Sequence, residues 1–307
     1  MDIVGFYYFP FLTELLFFSL DVCPKGGWCD GRTLYPCPPG TYNPFNGSQS
    51  QEACKACPMG HYCQESGTVD YQPCLCPDGP YCPTGTKFPN QFPCPAGTYN
   101  PITNQTSRSV ACLPCPAGNY CVAGSSQPTI CPPGYYCPIG TGARTQFACH
   151  AGFYNDQTGL KNYTECKPCP PGSYCPDGSL TEPTVTPIPC PAGTYNPEWQ
   201  VGHLLNCIPC TAGYFCPQAG QTNAALYCYE GYYCPNGTVA GNQFPCPPGT
   251  YGDRAGLTLA EECLTCPPGR SCGWGTGVNN NNTWQVCRQG HFCPAGGCEI
   301  CVVEGVG

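Results

Sequence analysis

Cysteine is the residue type here best placed to do chemistry. The chain has 33 Cys in 307 residues, and Cys-x-x-Cys pairs begin at Cys54, Cys112, Cys166, Cys207, Cys263 and Cys298. Two such pairs could hold a tetrahedral zinc ion. One pair at the start of a helix could run dithiol redox chemistry. The surroundings disfavour both. The pairs recur once per repeat beside further cysteines, and His61, His150, His203 and His291 are the only histidines. Most pairs lead into a Pro-Gly turn, as in Cys112-Leu113-Pro114-Cys115, and no helical pattern follows. The sulfurs therefore read as structural disulfides. Other chemistry fares no better. The 19 Asp and Glu are scattered, and the Ser and Thr lack a neighbouring His to act as base. Asp156 and Asp253 lack the spacing of a calcium loop. The expectation is a protein that is not an enzyme, with no catalytic, cofactor-binding or metal residues.

Composition sets what can hold such a chain together. Cysteine at about 11% exceeds the level that marks a disulfide scaffold. Gly and Pro number 39 each, charged residues are only 10%, and the net charge is −8. Runs of Leu, Ile, Val and Phe with helical or strand period are nearly absent between Cys23 and Cys301. Chains without an oily core rely on disulfides. No basic cluster exists to meet nucleic acid or an anionic membrane.

One motif, Cys-Pro-x-Gly-x-Tyr, must position these sulfurs. It is clear at Cys37, Cys57, Cys76, Cys94, Cys115, Cys131, Cys169, Cys190 and Cys246. Weaker copies begin at Cys23, Cys149, Cys210, Cys228, Cys266 and Cys287, so there are 15 starts. Pro suits the second position of a type I turn and Gly the fourth, which predicts a β-turn beginning at the cysteine. The aromatic two residues later can cover the cystine.

Two variants alternate. In the open form, Asn or Gly follows the aromatic (Asn43, Asn100, Asn155, Asn196, Gly252), and a longer loop leads to Cys-x-x-Cys. In the closed form, Cys follows at once, giving Cys-x5-Cys. One open and two closed copies make a larger repeat of 57, 55, 41 and 56 residues, counted from Cys37, Cys94, Cys149 and Cys190. The 41-residue repeat has lost one closed copy with both its cysteines, so Cys-x5-Cys reads as a bonded pair: Cys23–Cys29, Cys76–Cys82, Cys131–Cys137, Cys228–Cys234 and Cys287–Cys293. Cys149, Cys166, Cys169 and Cys175 then close among themselves in one of three ways. Interleaved pairing between copies also satisfies most of these counts. Cys74 is extra, and Cys298 and Cys301 fall where a new open copy should begin.

The series CPPGTY, a loop, then C-x-x-C-P-x-G-x-Y resembles the ephrin-receptor-like cysteine-rich repeat and is similar to the tumour-necrosis-factor-receptor module. The resemblance covers nearly everything from Cys23 onward. It implies an elongated tandem-repeat rod, small, disulfide-rich and mostly irregular with short β-hairpins and little or no helix. It implies no catalytic residues. The regular Cys-x5-Cys copies depart from the receptor pattern, so that pattern's connectivity does not transfer directly.

The resulting division is 1–22, an apolar segment; 23–36, a partial repeat; 37–93, 94–148, a short 149–189, 190–245 and 246–307. The apolar segment, Ile3 to Leu20, lacks a basic start and contains Asp2, Pro10 and Glu14 nearby. It reads as part of a longer chain, as a plug against a neighbouring subunit, or as a signal peptide. It is too broken for a direct membrane span. Five sequons, at Asn46, Asn104, Asn162, Asn236 and Asn281, point to N-linked glycans and the secretory pathway. Asn46, Asn104 and Asn162 lie in open-copy loops and are expected to form a row. Thr181, Thr184 and Thr186 are candidate O-glycan sites. The reading is an extracellular or cell-surface structural glycoprotein that self-associates into a homopolymer: a filament, coat or ciliary appendage. The alternative is a receptor- or adhesin-like ectodomain that binds a protein.

Overall fold

The computed structural model describes residues 22–178, 183–279, 284–287 and 293–296. Cys298, Cys301, Asn281, Thr181 and the apolar segment to residue 21 lie outside them. Backbone contacts divide the chain into two compact units. The first takes in the described residues up to Cys115 together with Cys121–Pro128; the second takes in Pro116–Tyr120 and those from Thr129 onward.

Each motif copy builds the same small object. The motif aromatic and the residue before it form one short strand, which pairs antiparallel with the residues just ahead of the next motif. Thr41–Tyr42 pairs with Lys55–Ala56, Thr194–Tyr195 with Ile208–Pro209, and Tyr232–Tyr233 with Phe244–Pro245. Eleven such two-stranded pairs occur among the described residues. Among the described residues, helix is limited to single turns, one in each open-copy loop: Gln51–Ala53, Arg108–Ala111, Tyr163–Glu165, Leu204–Asn206 and Ala260–Glu262. The four-residue turn at Arg108–Ala111 falls in the one long loop that has an extra residue.

The turn sits one residue later than the motif alone predicts. Its closing bond runs from the residue after Gly to the Pro carbonyl, as in Thr41 N–H to Pro38, Thr98 N–H to Pro95 and Arg270 N–H to Pro267. Pro is thus the first residue of the turn and Gly the third. Gly40, Gly97 and Gly172 have φ of 87°, 85° and 81°. A positive φ at the third position is the demand of a type II turn. In the open copies Thr41, Thr98, Thr194 and Thr250 add a hydroxyl bond to the same Pro carbonyl.

Stacking explains why the turn must be this one. Within each unit, the motif Gly of one copy donates its N–H to the carbonyl of the seventh motif residue in the next copy. Gly40 donates to Cys63, Gly60 to Cys82, Gly172 to Asn196 and Gly193 to Cys216. The same Gly carbonyl accepts from the first Cys of that next copy: Cys57 N–H to Gly40, Cys76 to Gly60, Cys190 to Gly172 and Cys210 to Gly193. A second turn in each copy reaches back, so that Gly67 N–H meets the Cys37 carbonyl and Gly220 N–H the Cys190 carbonyl. Neighbours are therefore coupled by a repeating set of backbone bonds, the pattern of a quasi-one-dimensional repeat.

The interior is made of sulfur. Among the described residues, the buried apolar side chains are cysteines apart from Ala111, Ala148, Leu160, Phe215 and Leu257. Leu160 packs on Cys149 and Cys166, and Leu257 on Cys246 and Cys263. The contact is too close for side chains at the motif glycine. A Cβ on Gly172 would lie 2.2 Å from the Gly220 carbonyl oxygen, in a backbone region that already disfavours one. Gly172→Ala is expected to open this junction. Hydrogen exchange should show the Cys190 and Gly220 amides losing protection, while amides in the first unit keep theirs.

Candidate functional site

The feature that could serve a function is the cystine ladder and the surface it holds out. Among the described residues, fifteen disulfides close the array in two classes. The short class spans six residues and holds Cys23–Cys29, Cys57–Cys63, Cys76–Cys82, Cys115–Cys121, Cys131–Cys137, Cys169–Cys175, Cys210–Cys216, Cys228–Cys234, Cys266–Cys272 and Cys287–Cys293. The long class belongs to the open copies: Cys37–Cys54, Cys94–Cys112, Cys149–Cys166, Cys190–Cys207 and Cys246–Cys263. Cys149, Cys166, Cys169 and Cys175 pair within their own set. Cys74 carries a free thiol and is partly exposed. A bridged sulfur offers no thiolate to a zinc ion, and both sulfurs of the five described Cys-x-x-Cys pairs are bridged.

The two classes differ at the seventh motif residue. In closed copies it is Cys. In four open copies it is Asn, and Asn43, Asn100, Asn155 and Asn196 are all buried. A buried amide must be satisfied. Each Nδ2 donates back across the stack to a carbonyl of the preceding copy: Asn43 to Gly27 at 2.8 Å, Asn100 to Pro80 at 2.7 Å, Asn155 to Tyr135 at 3.0 Å and Asn196 to Ser173 at 3.0 Å. Each Oδ1 accepts the N–H two residues on, from Phe45, Ile102, Gln157 and Glu198. The Asn thus fastens two copies while leaving its own first Cys free for the long bridge. The fifth open copy has Gly252, where a Cβ would fall 2.6 Å from the Gly231 nitrogen. Spacing alone marked these positions without giving them a role. Their signal was an Asn at every open copy but one.

The sequons occupy different local settings. Asn46 is exposed, just before the Gly47 turn. Asn104 takes the place of that turn glycine, at φ 60°, and donates its N–H to the Cys76 carbonyl. Asn162 caps the turn Tyr163–Glu165, its Oδ1 accepting from Thr164 N–H. Asn104 is thus one residue on from the place of Asn46, and Asn162 lies at the helical turn instead of the preceding loop turn. Asn236 is exposed, and its Oδ1 accepts the Ala212 N–H at 2.9 Å. Thr184 is buried and its hydroxyl donates to Pro176, which removes it as an O-glycan site.

Charge contributes little. Lys167 contacts Asp156 at 2.7 Å, and this hydrogen bond lowers the carboxyl titration and raises that of the amine. Both groups are exposed, so the pair is screened by water and salt. Among the described residues, no helix is long and apolar enough to cross a membrane. The outward surface instead shows apolar side chains, and one open copy stands out: Trp199, Leu204, Leu205 and Ile208 are all exposed, Leu205 by 95%.

No protein-family model matches this chain, and none of the curated proteins compared with it matches either. The chain is a cysteine-rich tandem repeat of small disulfide-closed hairpins, rigidified by covalent bonds that call for an oxidising compartment.

Proposed function

We propose that this protein is a non-catalytic extracellular structural glycoprotein, a building block of a filament, coat or ciliary appendage. One observation carries the reading: successive copies are joined by the same backbone bonds, and each copy is closed by its own cystine, so stiffness comes from repetition alone. Such an architecture bears load at any length and needs no reactive group. The likeness of the CPPGTY…C-x-x-C series to ephrin-receptor-like repeats is compatible with it. N-glycans on Asn46, Asn104, Asn162, Asn236 and Asn281 would solubilise a surface poor in charge.

Electron microscopy of native material tests the proposal. Ordered fibres with a regular subunit repeat are the expected result. Isolated monomers, at concentrations where a structural polymer would assemble, would overturn it.

A second reading, a receptor- or adhesin-like ectodomain, has one observation in its favour. The exposed Trp199, Leu204 and Leu205 belong to a single copy, and the equivalent turn at Gln51–Ala53 is polar. Aromatic and aliphatic anchors of this kind serve protein recognition. If fibres form normally in a chain carrying Trp199→Ala and Leu205→Ser, this patch is not the assembly contact and ligand recognition becomes its better use.

A further inference from the structure

Two tyrosines are held together in a way that no other copy among the described residues repeats. Tyr214 is the fifth residue of the motif at Cys210, and Tyr227 immediately precedes the motif at Cys228. In half of the other copies the residue before the motif is Pro: Pro36, Pro93, Pro114, Pro168, Pro189, Pro209 and Pro245. Here the two residues are direct partners on the antiparallel strands Tyr214–Phe215 and Leu226–Tyr227. Their ring centroids are 4.6 Å apart with the planes only 31° from parallel. The Tyr227 phenol beside it pushes the Tyr214 titration up. Directly opposed positions send both side chains off the same face of the strand pair, so the two rings run alongside each other. Tyr227 is 59% exposed, open to a reagent in solution.

The backbone keeps the rings from separating. Cys216, two residues beyond Tyr214, is bridged to Cys210, and Cys228, next to Tyr227, is bridged to Cys234. The other tyrosine pair among the described residues is different. Tyr42 and Tyr71 have centroids 4.8 Å apart but meet edge to face at 68°.

We propose that Tyr214 and Tyr227 form an oxidative modification site, at which a haem-peroxidase-type oxidant with hydrogen peroxide joins the two rings as dityrosine. Each phenol loses one hydrogen atom from oxygen to give a phenoxyl radical. The radicals couple ortho to ortho through a new carbon–carbon bond. The two ring hydrogens at the joined carbons then move to the oxygens, restoring both phenols. The pair loses two hydrogens in total, and these reduce one hydrogen peroxide to two waters. Prealigned partners couple far faster than partners that must find each other by diffusion. The product is a covalent staple across a hairpin that the disulfides leave unbridged, and thiol reductants do not cut it.

The test is a brief exposure of the intact, unreduced protein to peroxidase and hydrogen peroxide, followed by peptide mapping and dityrosine fluorescence. The expected product is one intramolecular peptide pair containing Tyr214 and Tyr227, lighter by two hydrogens. Its yield should not change on serial dilution. Tyr227→Phe keeps the ring and should lose this product entirely, while Tyr71→Phe should keep it, with an unchanged disulfide map in both. The proposal fails if no dityrosine forms, if the yield falls with dilution, if the cross-link maps to other tyrosines, or if Tyr227→Phe leaves it intact.

Discussion

Alkylation of the unreduced protein is expected to label Cys74 and none of the bridged cysteines between Cys23 and Cys293. Prior reduction should instead unfold the whole array. The reason lies in what is buried. With the cystines opened, the buried apolar side chains left among the described residues are Leu160, Phe215, Leu257 and two alanines. Each bridge typically contributes about 2–4 kcal/mol, whereas a whole domain is stable by only about 5–15 kcal/mol. Opening a few bridges in one unit therefore exceeds everything else holding it. Reduced protein should expand toward a radius of gyration of about 62 Å, the value for a random chain of this length. Scattering and thiol titration, taken together across a series of reductant concentrations, check the claim. A reduced chain that kept its native scattering profile would mean the hydrogen-bond ladder stands without sulfur.

Much of this was legible from spacing. Six-residue cystines are local, and their joint loss from the repeat at Cys149 marked them as pairs. The long bridges were not resolved by the same logic, because Cys149, Cys166, Cys169 and Cys175 allow three connectivities and only the stack selects among them. The turn was misplaced by one residue for a related reason. Pro and Gly fit a type I turn beginning at Cys by local preference alone. The neighbouring copy, however, uses both the N–H and the carbonyl of the Gly, and that requires its positive φ. A clue was present: Pro gives way to His150, Thr211, Tyr229 and Arg288, while Gly persists at the fourth place in every copy. The buried asparagines were hidden for a deeper reason. Their bonds run 16 to 23 residues back along the chain, to carbonyls of a preceding copy. Nothing local announces a partner at that distance.

If the seventh residue selects the bridge, then Asn100→Cys should convert an open copy into a closed one. The new thiol sits six residues after Cys94, the spacing of every short bridge. The backbone there already matches a closed copy. Asn100 donates its N–H to the Ser125 carbonyl, as Cys63 does to Thr86, and accepts from Gly79 as Cys82 accepts from Gly60. Closing a six-residue loop in place of an 18-residue one also costs about 1 kcal/mol less chain entropy. The expected outcome is that Cys94 bridges mainly to the introduced thiol, with Cys112 released and open to alkylation. The loop from Pro101 to Ala111 should then become protease-sensitive. Peptide mapping of the unreduced variant reads this directly. Asn100→Ala separates the amide's two duties: it admits no new bridge, so the Cys94–Cys112 link should persist. The Pro80 carbonyl and Ile102 N–H lose their partner, at a cost of about 1–3 kcal/mol. Should Asn100→Cys retain Cys94–Cys112 with its new thiol free, pairing is set by the loop and its helical turn, and the asparagine serves only to fasten neighbouring copies.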